Sequence, residues 1–269
     1  MTPASDAAGA VAFLTPVGGG RAPSPGALAW FPAVGASMGL ALGGVCCVAS
    51  QVWPPPVVAA VVVVADLGLT GLLHLDGLID AADGLLPHLD RQRRLDVMAD
   101  PRAGAFGVGA AAAVLLVRWS ALAAVPPSPL LLAGLWCASR TAMAVIARTL
   151  PYARPTGLAT AFLDPRAQSP AQGAARAQSL AQGAARARGG RPAALAVGGL
   201  IGSLAMAGAG GGLSGVAAVG ALTAAAVGVM ALAQRRLGGF TGDVLGAAGL
   251  VGETVGLVVA AARPRWRMT

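Results

Sequence analysis

Two long stretches of this sequence contain no charged residue. Residues 22–65 and 192–234 lack Asp, Glu, Lys and Arg, and each stretch is long enough for two membrane-spanning helices of about 20 residues. A third uncharged stretch covers residues 120–139. Charged residues make up only 11% of the 269-residue chain and hydrophobic residues 56%, whereas a soluble domain has about 25% charged residues. The chain is therefore predicted to be an all-α, polytopic helix bundle in a membrane.

Hydrophobic segmentation predicts six to seven transmembrane helices in a single domain that covers residues 1–269. Short uncharged turns rich in Pro or Gly, at 53–56, 125–129 and 208–212, separate several of the spans from their neighbours. The candidate spans are 33–52, 56–73, 104–124, 129–150, 193–210, 213–233 and 244–262.

The arginines indicate which loops share a side of the membrane. The chain has no lysine, and its net charge is +8. Basic segments at Arg21, 91–102, 154–191 and 235–236 are each separated by a pair of spans, so all four are predicted to be cytoplasmic. The basic tail, 263–267, breaks this pattern, because seven crossings would place it outside. Either the last segment does not fully cross, or the tail violates the rule.

Residues 165–191 contain a tandem ten-residue repeat, AQSPAQGAAR followed by AQSLAQGAAR. Its only apolar side chains are alanines and one leucine, which are too few to bury a core. A flexible cytoplasmic loop is therefore predicted. Direct binding of a phosphate by Arg176 or Arg186 is the alternative.

Three aspartates occur within the stretch HLDGLIDAADGL, beside strongly apolar sequence. Asp76, Asp80 and Asp83 have the spacing i, i+4 and i+7, which on an α-helix places all three within roughly a 60° wedge. Like charges at a low-dielectric boundary repel one another unless a divalent cation neutralises them. Oxygen ligands suit Mg²⁺. The three aspartates are therefore candidate catalytic residues and metal ligands, with Mg²⁺ as the expected cofactor; a solvated helix end is the alternative.

The neighbours of these aspartates are harder to assign. His74 would face away from Asp76 on the helix, so it is a doubtful ligand of the same ion; a base role and simple interfacial placement both remain open. Gly77 and Gly84 are interpreted as leaving room for a bulky substrate. Asp66 lies deeper in the membrane and is interpreted as a partner for a buried polar group or as having no role.

Several arginines are candidate ligands for phosphate, since guanidinium groups bind phosphate oxygens bidentately. The stretch DRQRRLDVMADPRAGAFG contributes Arg94 and Arg102, and SRTAMAVIARTLPYARPTG contributes Arg140 and Arg154. Positive-inside loops explain part of this pattern. Arg140 lies inside an apolar span, where a charge is costly and indicates function.

One further acidic site follows the last basic segment. The stretch QRRLGGFTGDVLGAAGLVGE supplies Asp243 and the hydroxyl of Thr241 in a glycine-rich context, and Glu253 lies deeper in the same apolar segment. Two other patterns carry little weight. The cysteines have no metal-ligand spacing, and the GGGLSG sequence at 210–215 follows no strand, so no dinucleotide site is predicted there.

Taken together, these motifs resemble the cobalamin synthase family, the adenosylcobinamide-GDP ribazoletransferases. HLDGLIDAADGL is similar to that family's H-x-D-G-x-x-D-x-x-D-G signature. Pro101 stands where the family pattern has a serine. The other stretches that carry the likeness are FLTP (13–16), WFPAVGASMG (30–39), RRLDVMADPRAGAFGV (93–108), SRTAMAVIARTLPYARPTGL (139–158) and RRLGGFTGDVLGA (235–247).

The resemblance implies a multi-pass transferase of the bacterial inner membrane with its active site on the cytoplasmic side. The hydroxyl of α-ribazole, or of its 5′-phosphate, would attack the cobinamide-side phosphorus of adenosylcobinamide-GDP, and GMP would leave. Expected partners are these substrates and membrane lipid, with no nucleic acid; a bundle this small often assembles, so a homo-oligomer is a further expectation. The implied roles are metal binding by Asp76, Asp80 and Asp83, phosphate binding by Arg94, Arg102, Arg140 and Arg154, and a base or second ligand role for Asp243.

Two other functions fit part of the pattern. A metal-dependent phosphotransferase for CDP-activated lipids also uses clustered aspartates, but a D-G-x-x-A-R element is expected there, and after Gly77 this chain reads Leu-Ile-Asp. A divalent-cation transporter would line a path across the bilayer with acids. Here the acids gather at one face with arginines beside them, which would repel a permeating cation.

Overall fold

Helices form the architecture of the protein in the computed structural model, which describes residues 2–18, 24–154 and 191–262. The predicted all-α class is confirmed. The repeat at 167–186, Arg21 and the basic tail lie outside the described residues. The elements are α1 (Pro3–Leu14), a 3-10 turn (Ala27–Trp30), α2 (Phe31–Ala49), α3 (Pro55–Leu69), α4 (Leu73–Leu85), α5 (Arg91–Val97), α6 (Ala105–Ala124), α7 (Pro129–Thr149), α8 (Arg191–Leu237) and α9 (Gly242–Ala261).

Helix α8 consists of two antiparallel arms that meet at Gly212. This residue has φ 60° and ψ −144°, a conformation that glycine adopts far more readily than other residues. The backbone of Gly215 lies so close to the carbonyl oxygen of Ala207 that no Cβ fits at position 215. The chain therefore reverses at Gly212, as the predicted turn at 208–212 requires.

The predicted six to seven spans are confirmed. Among the described residues, five helices are long and apolar enough to cross a membrane, and the bent pair of α3 and α4 raises the number to six. Because α8 reverses at Gly212, it supplies two of the predicted spans rather than one. The last predicted span corresponds to α9, whose 20 residues meet the length needed for a crossing.

The two ends of the bundle differ in charge. At one end, the uncharged turns meet: Ser128 donates a hydrogen bond from Oγ to the carbonyl oxygen of Gly210 over 2.9 Å. At the other end, Arg91 connects the basic segments that follow α7 and α8. It donates hydrogen bonds to the carbonyl oxygens of Leu237 (2.8 Å) and Ala153 (3.0 Å). The described basic loops therefore share one end of the bundle, as their spacing along the chain predicted.

A sharp bend separates α3 from α4. Gly71 and Leu72 have φ of 57° and 62°, a left-handed conformation that is unusual for leucine. The axes of the two helices differ by 87°. The acidic helix therefore crosses the bundle instead of continuing α3.

Glycines allow α4 to lie directly against its neighbours. A Cβ on Gly77 would lie 2.8 Å from the carbonyl oxygen of Asp243 in α9. The position of a Cβ on Gly84 is occupied by the Met98 side chain, which follows α5. The space beside both glycines is thus filled by protein, so their interpretation as room for a substrate is wrong. Their effect is to bring the acidic face of α4 next to Asp243.

Candidate functional site

A cavity of about 270 Å³ brings together polar residues from three parts of the chain. Its lining includes His74 and Asp76 from α4, Arg154 from the loop after α7, and Asp243 from α9. A larger cavity of about 480 Å³ between α7 and the two arms of α8 is lined by apolar, Thr and Gln side chains and contains no ionisable group. The smaller cavity is therefore the candidate site.

The start of α9 places Asp243 at this cavity. Thr241 is the N-cap of the helix, and its Oγ1 accepts a hydrogen bond from the Val244 N–H over 3.2 Å. The same hydroxyl donates to Asp243 Oδ2 over 3.2 Å. The N-terminus of a helix also favours a negative charge. The Thr241 hydroxyl and the helix start thus fix the position of the Asp243 carboxylate at the cavity.

Arg154 reaches Asp243 because two loops pair side by side. Phe240 donates a backbone hydrogen bond to Pro151 (3.0 Å), and Ala153 donates one back to Phe240 (2.8 Å). Arg154 follows this pairing and forms an ion pair with Asp243, with Nη1 and Oδ2 3.1 Å apart. The Nη2 atom of Arg154 is buried and has no hydrogen-bond partner among the described residues.

Asp76, Asp80 and Asp243 form an acidic cluster. Asp76 is exposed, and Asp80 is half-buried one turn further along α4. The charges of Asp243 and Asp76, and to a smaller extent that of Asp83, act on Asp80 as like charges, and that of Arg154 acts in the opposite sense. With all three carboxylates ionised and Arg154 beside them, the cluster carries two net negative charges. Across the described ranges, however, no three His, Cys, Asp or Glu side chains are close enough to hold a metal ion by themselves.

Asp83 is separated from this cluster, which corrects the prediction that it shares a metal with Asp76 and Asp80. Its carboxylate is buried and accepts the backbone N–H groups of Gly104 (2.6 Å) and Gly107 (2.8 Å), one on each oxygen. These are N–H groups at the first turn of α6 that have no partner within the helix. Asp83 therefore caps α6 from a neighbouring helix, and neither oxygen is directed to the cavity.

The glycines that follow in the sequence are required by this cap. A Cβ on Gly107 would lie 2.5 Å from Asp83 Oδ2 and 2.6 Å from Ile79 Cγ2. A Cβ on Gly104 would lie 2.5 Å from Asp83 Oδ1. The sequence pattern of glycines at the start of α6 thus reflects the close approach of the Asp83 carboxylate.

Two of the predicted phosphate ligands, Arg94 and Arg102, lie outside the cavity, which corrects their assignment. Arg94 is buried, and its Nη1 donates to the carbonyl oxygens of Gly84 (2.7 Å) and Leu85 (3.1 Å), the last residues of α4. This is a C-terminal helix cap.

The guanidinium of Arg102 is directed to solvent. Its side chain is 86% exposed and pairs with Asp100 over 2.7 Å. Hydrogen bonds from the side chain and backbone of Arg102 hold the pKa of Asp100 at about 2. Arg102 therefore stabilises the turn before α6 in this structure.

The prediction that Arg140 binds phosphate is also corrected. Arg140 is fully buried, its Nη1 donates to Ser139 Oγ over 2.9 Å, and the same nitrogen forms an ion pair with Glu253. Its Nη2 lies 3.4 Å from His74 Nδ1. A guanidinium held in this way has no access to a phosphate group. The cost of the Arg140 charge within this span is offset by its ion pair with Glu253.

Arg118 is the residue that the sequence reasoning overlooked. It is buried in the second half of α6, donates to Asp66 Oδ2 (2.7 Å) and Glu253 Oε2 (2.9 Å), and lies 4.8 Å from the centre of the Trp136 ring. Trp136 in turn donates to Asp66 Oδ1 over 3.1 Å. The interpretation of Asp66 as a partner for a buried polar group is therefore confirmed. The signal for Arg118 was available, because a lone arginine inside an apolar span is costly without a partner.

Comparison with known proteins points to one family. Residues 6–261 match the family described as cobalamin-5-phosphate synthase. The chain is 37% identical over 263 residues to a protein of Bradyrhizobium diazoefficiens named adenosylcobinamide-GDP ribazoletransferase, with 94% of this chain and 92% of the relative covered. A protein of the same name from Brucella ovis is 33% identical over 240 residues, which cover 85% and 82% of the two chains. One from Thermosynechococcus vestitus is 46% identical over 134 residues, which cover 49% and 54%. No solved structure matches this chain.

Proposed function

Because the chain belongs to the cobalamin-5-phosphate synthase family, we propose that it joins adenosylcobinamide-GDP to α-ribazole, or to α-ribazole 5′-phosphate, with release of GMP. The structural observation that carries the proposal is the acidic cluster beside Arg154 at one cavity. Neither the lipid phosphotransferase nor the cation transporter is favoured by the relatives. The charges inside the bundle also argue against a transporter, because the buried acids Asp66 and Glu253 are paired with Arg118 and Arg140 in the described part of the bundle.

The reaction replaces the phosphoanhydride bond of adenosylcobinamide-GDP with a phosphate ester bond to the acceptor. The hydroxyl oxygen of the acceptor forms a bond to the phosphorus nearest cobinamide, the bond from that phosphorus to the bridging oxygen breaks, and GMP leaves. The hydroxyl proton passes to a carboxylate of the acidic cluster. In phosphoryl transfer the protein contributes mainly by positioning the substrates and stabilising charge. A basic residue for the phosphates and carboxylates near the acceptor are the groups that this reaction needs.

Arg154 is the phosphate ligand of this proposal. Its Nη1 is held by Asp243 over 3.1 Å, which fixes the guanidinium at the cavity wall. Its buried Nη2, which has no partner within the described part of the chain, is free to donate to a phosphate oxygen. The cavity volume of about 270 Å³ is just below the range of roughly 300–1,000 Å³ for small-molecule sites. It fits the reacting phosphates, while the corrinoid ring stays outside.

Mg²⁺ remains a prediction, and the donor set fits it. The two net negative charges of the acidic cluster match a divalent cation, and every donor is an oxygen atom. The lack of a complete metal site among the described residues is compatible with Mg²⁺, which is commonly held by one or two carboxylates together with substrate phosphates and water. Asp76 and Asp80 would hold it, with Asp243 nearby. When bound, the ion neutralises charge on the leaving phosphate.

We place the site at the cytoplasmic face of the inner membrane. The cavity lies at the end of the bundle where Arg91, Arg154 and the other described basic loops meet, and cytoplasmic loops carry the excess of arginine. Apolar side chains exposed on the spans, such as Leu116, Ile201 and Val227, suit contact with lipid. A homo-oligomer remains a prediction.

The test is GMP release by the purified protein in lipid nanodiscs. We expect release from adenosylcobinamide-GDP that requires both α-ribazole or its phosphate and Mg²⁺, and no turnover of CDP-activated lipids. Asp80→Asn is expected to abolish release without loss of folded protein. Asp96→Asn is the matched control, because Asp96 is exposed on α5 and bonds to Gln92 there. Full activity of Asp80→Asn would remove the assignment of the acidic cluster, and turnover of a CDP-activated lipid alone would replace the proposed reaction.

A further inference from the structure

His74 has one ring nitrogen without a partner. The side chain is 4% exposed and lies on the first turn of α4, where it lines the candidate cavity. Its Nε2 is buried and has no hydrogen-bond partner within the described ranges. The adjacent ring atom, Cδ2, would lie 3.5 Å from a Cβ on Gly246, which also lines the cavity. The Nε2 edge of the ring thus lies at the cavity wall.

The other ring nitrogen is occupied by Arg140. Nδ1 lies 3.4 Å from Arg140 Nη2. A guanidinium only donates hydrogen bonds, so Nδ1 must accept and carries no proton. A neutral imidazole whose Nδ1 is unprotonated has its proton on Nε2. The contact with Arg140 therefore selects one tautomer of His74.

Arg140 is held rigidly enough to act in this way. Its Nη1 pairs with Glu253 and donates to Ser139 Oγ over 2.9 Å, and Arg140 itself has no exposed surface. Glu253 is held in turn by Arg118 over 2.9 Å. The buried ion pairs thus connect Arg118 through Glu253 to Arg140. Arg140 in turn contacts the His74 imidazole at the wall of the cavity.

We infer that Arg140 is a positioning residue, which fixes His74 with its proton on Nε2, and that His74 donates this N–H to a phosphate oxygen of the substrate. A buried donor without an acceptor is destabilising, and such groups in native proteins often mark a functional site. Arg154 lines the same cavity, so the acceptor assigned to His74 is a phosphate oxygen of the ligand that Arg154 would bind. The identity of that ligand rests on the proposed function. In this arrangement His74 is a hydrogen-bond donor, and the base role suggested by the sequence is assigned elsewhere.

The tautomer can be measured without substrate. The chain contains two histidines, and His88→Gln removes the exposed one, so ¹⁵N-histidine labelling then reports on His74 alone. We expect one protonated and one unprotonated nitrogen, with the proton assigned to Nε2 by its couplings to the ring hydrogens. Arg140→Lys should keep this tautomer, because lysine also donates, and Arg140→Met should mix the two. A proton on Nδ1 in the protein with Arg140 intact would overturn the inference, whether or not Arg140→Met folds.

Donation to the substrate is tested by two substitutions at position 74. His74→Gln retains an N–H near the position of Nε2, whereas His74→Asn retains one only near Nδ1. We expect His74→Gln to keep at least tenfold more kcat/KM for adenosylcobinamide-GDP than His74→Asn, and the Nε2 resonance to shift when GDP is added. Equal loss in both variants with no shift would overturn the donation. Absence of any GMP release by the unsubstituted protein would instead contradict the proposed function and leave the tautomer result standing.

Discussion

Asp83→Asn distinguishes a helix cap from a metal ligand. Each oxygen of Asp83 accepts one backbone N–H at the start of α6, from Gly104 over 2.6 Å and from Gly107 over 2.8 Å. Asparagine keeps one acceptor oxygen but presents an NH₂ group to the other N–H. The substitution should therefore leave one buried N–H group without a partner while it changes no atom of Asp76 or Asp80.

The expected loss of stability follows from these contacts. A hydrogen bond to a charged group contributes about 1.5–3 kcal/mol, and the attraction between a carboxylate and a helix N-terminus adds about 0.3–1 kcal/mol. Asp83→Asn should lower the free energy of unfolding by about 2–4 kcal/mol. At ~2–4 °C per kcal/mol for a chain of this size, Tm should fall by roughly 4–16 °C.

The assay combines thermal unfolding in one detergent with Mn²⁺ binding followed by electron paramagnetic resonance. Asp83→Asn should lower Tm and leave Mn²⁺ affinity unchanged. Asp80→Asn should instead lower Mn²⁺ affinity and leave Tm unchanged. Asp90→Asn is the control, because Asp90 caps α5 through a single bond to the Arg93 N–H over 2.9 Å at an exposed site. Asparagine is about as good an N-cap as aspartate. Loss of Mn²⁺ binding by Asp83→Asn at an unchanged Tm would refute the cap and restore Asp83 to the metal site.

Two further substitutions test the packing behind the site. Arg118→Met should lower the free energy of unfolding by about 3–5 kcal/mol, because it leaves buried carboxylates uncompensated; adding Asp66→Leu should recover part of the loss in the same melting assay, and no recovery would contradict the ion pair. Gly77→Ala should cost about 1–3 kcal/mol through overpacking and slow GMP release, since its Cβ would lie 2.8 Å from the α9 backbone. Gly228→Ala, which has open space around it within a helix, is the control: it should leave GMP release unchanged and should not lower the free energy of unfolding, because alanine favours a helix over glycine by about 1 kcal/mol.

The membrane spans were predictable because length and hydropathy are properties of a continuous stretch of chain. The predicted span at 129–150 corresponds to α7, Pro129–Thr149, and that at 104–124 to α6, Ala105–Ala124. The turn at 208–212 was predictable for the same reason, since the run of glycines lies between two apolar segments. The 87° bend after α3 was not predicted. It depends on the left-handed conformation of Leu72, and leucine is not a residue type that indicates such a conformation in a sequence.

The candidate site was only partly predictable. Helical periodicity placed Asp76, Asp80 and Asp83 on one side of a helix, and α4 spans all three. Periodicity does not say what covers each part of that side. The start of α6 covers Asp83, whereas Asp76 faces the cavity with Asp243, which lies far along the chain.

From the sequence alone, we could predict the helix bundle, the sorting of basic loops to one end and the resemblance to one family, since these depend on local composition and on motifs that are continuous in the chain. Only the tertiary structure decided the partner of each charge. Arg118 pairs with acids 52 and 135 residues away, and Arg140 with one 113 residues away. A buried charge is stable only beside a matching charge, and which residues meet inside the bundle depends on how all the helices pack.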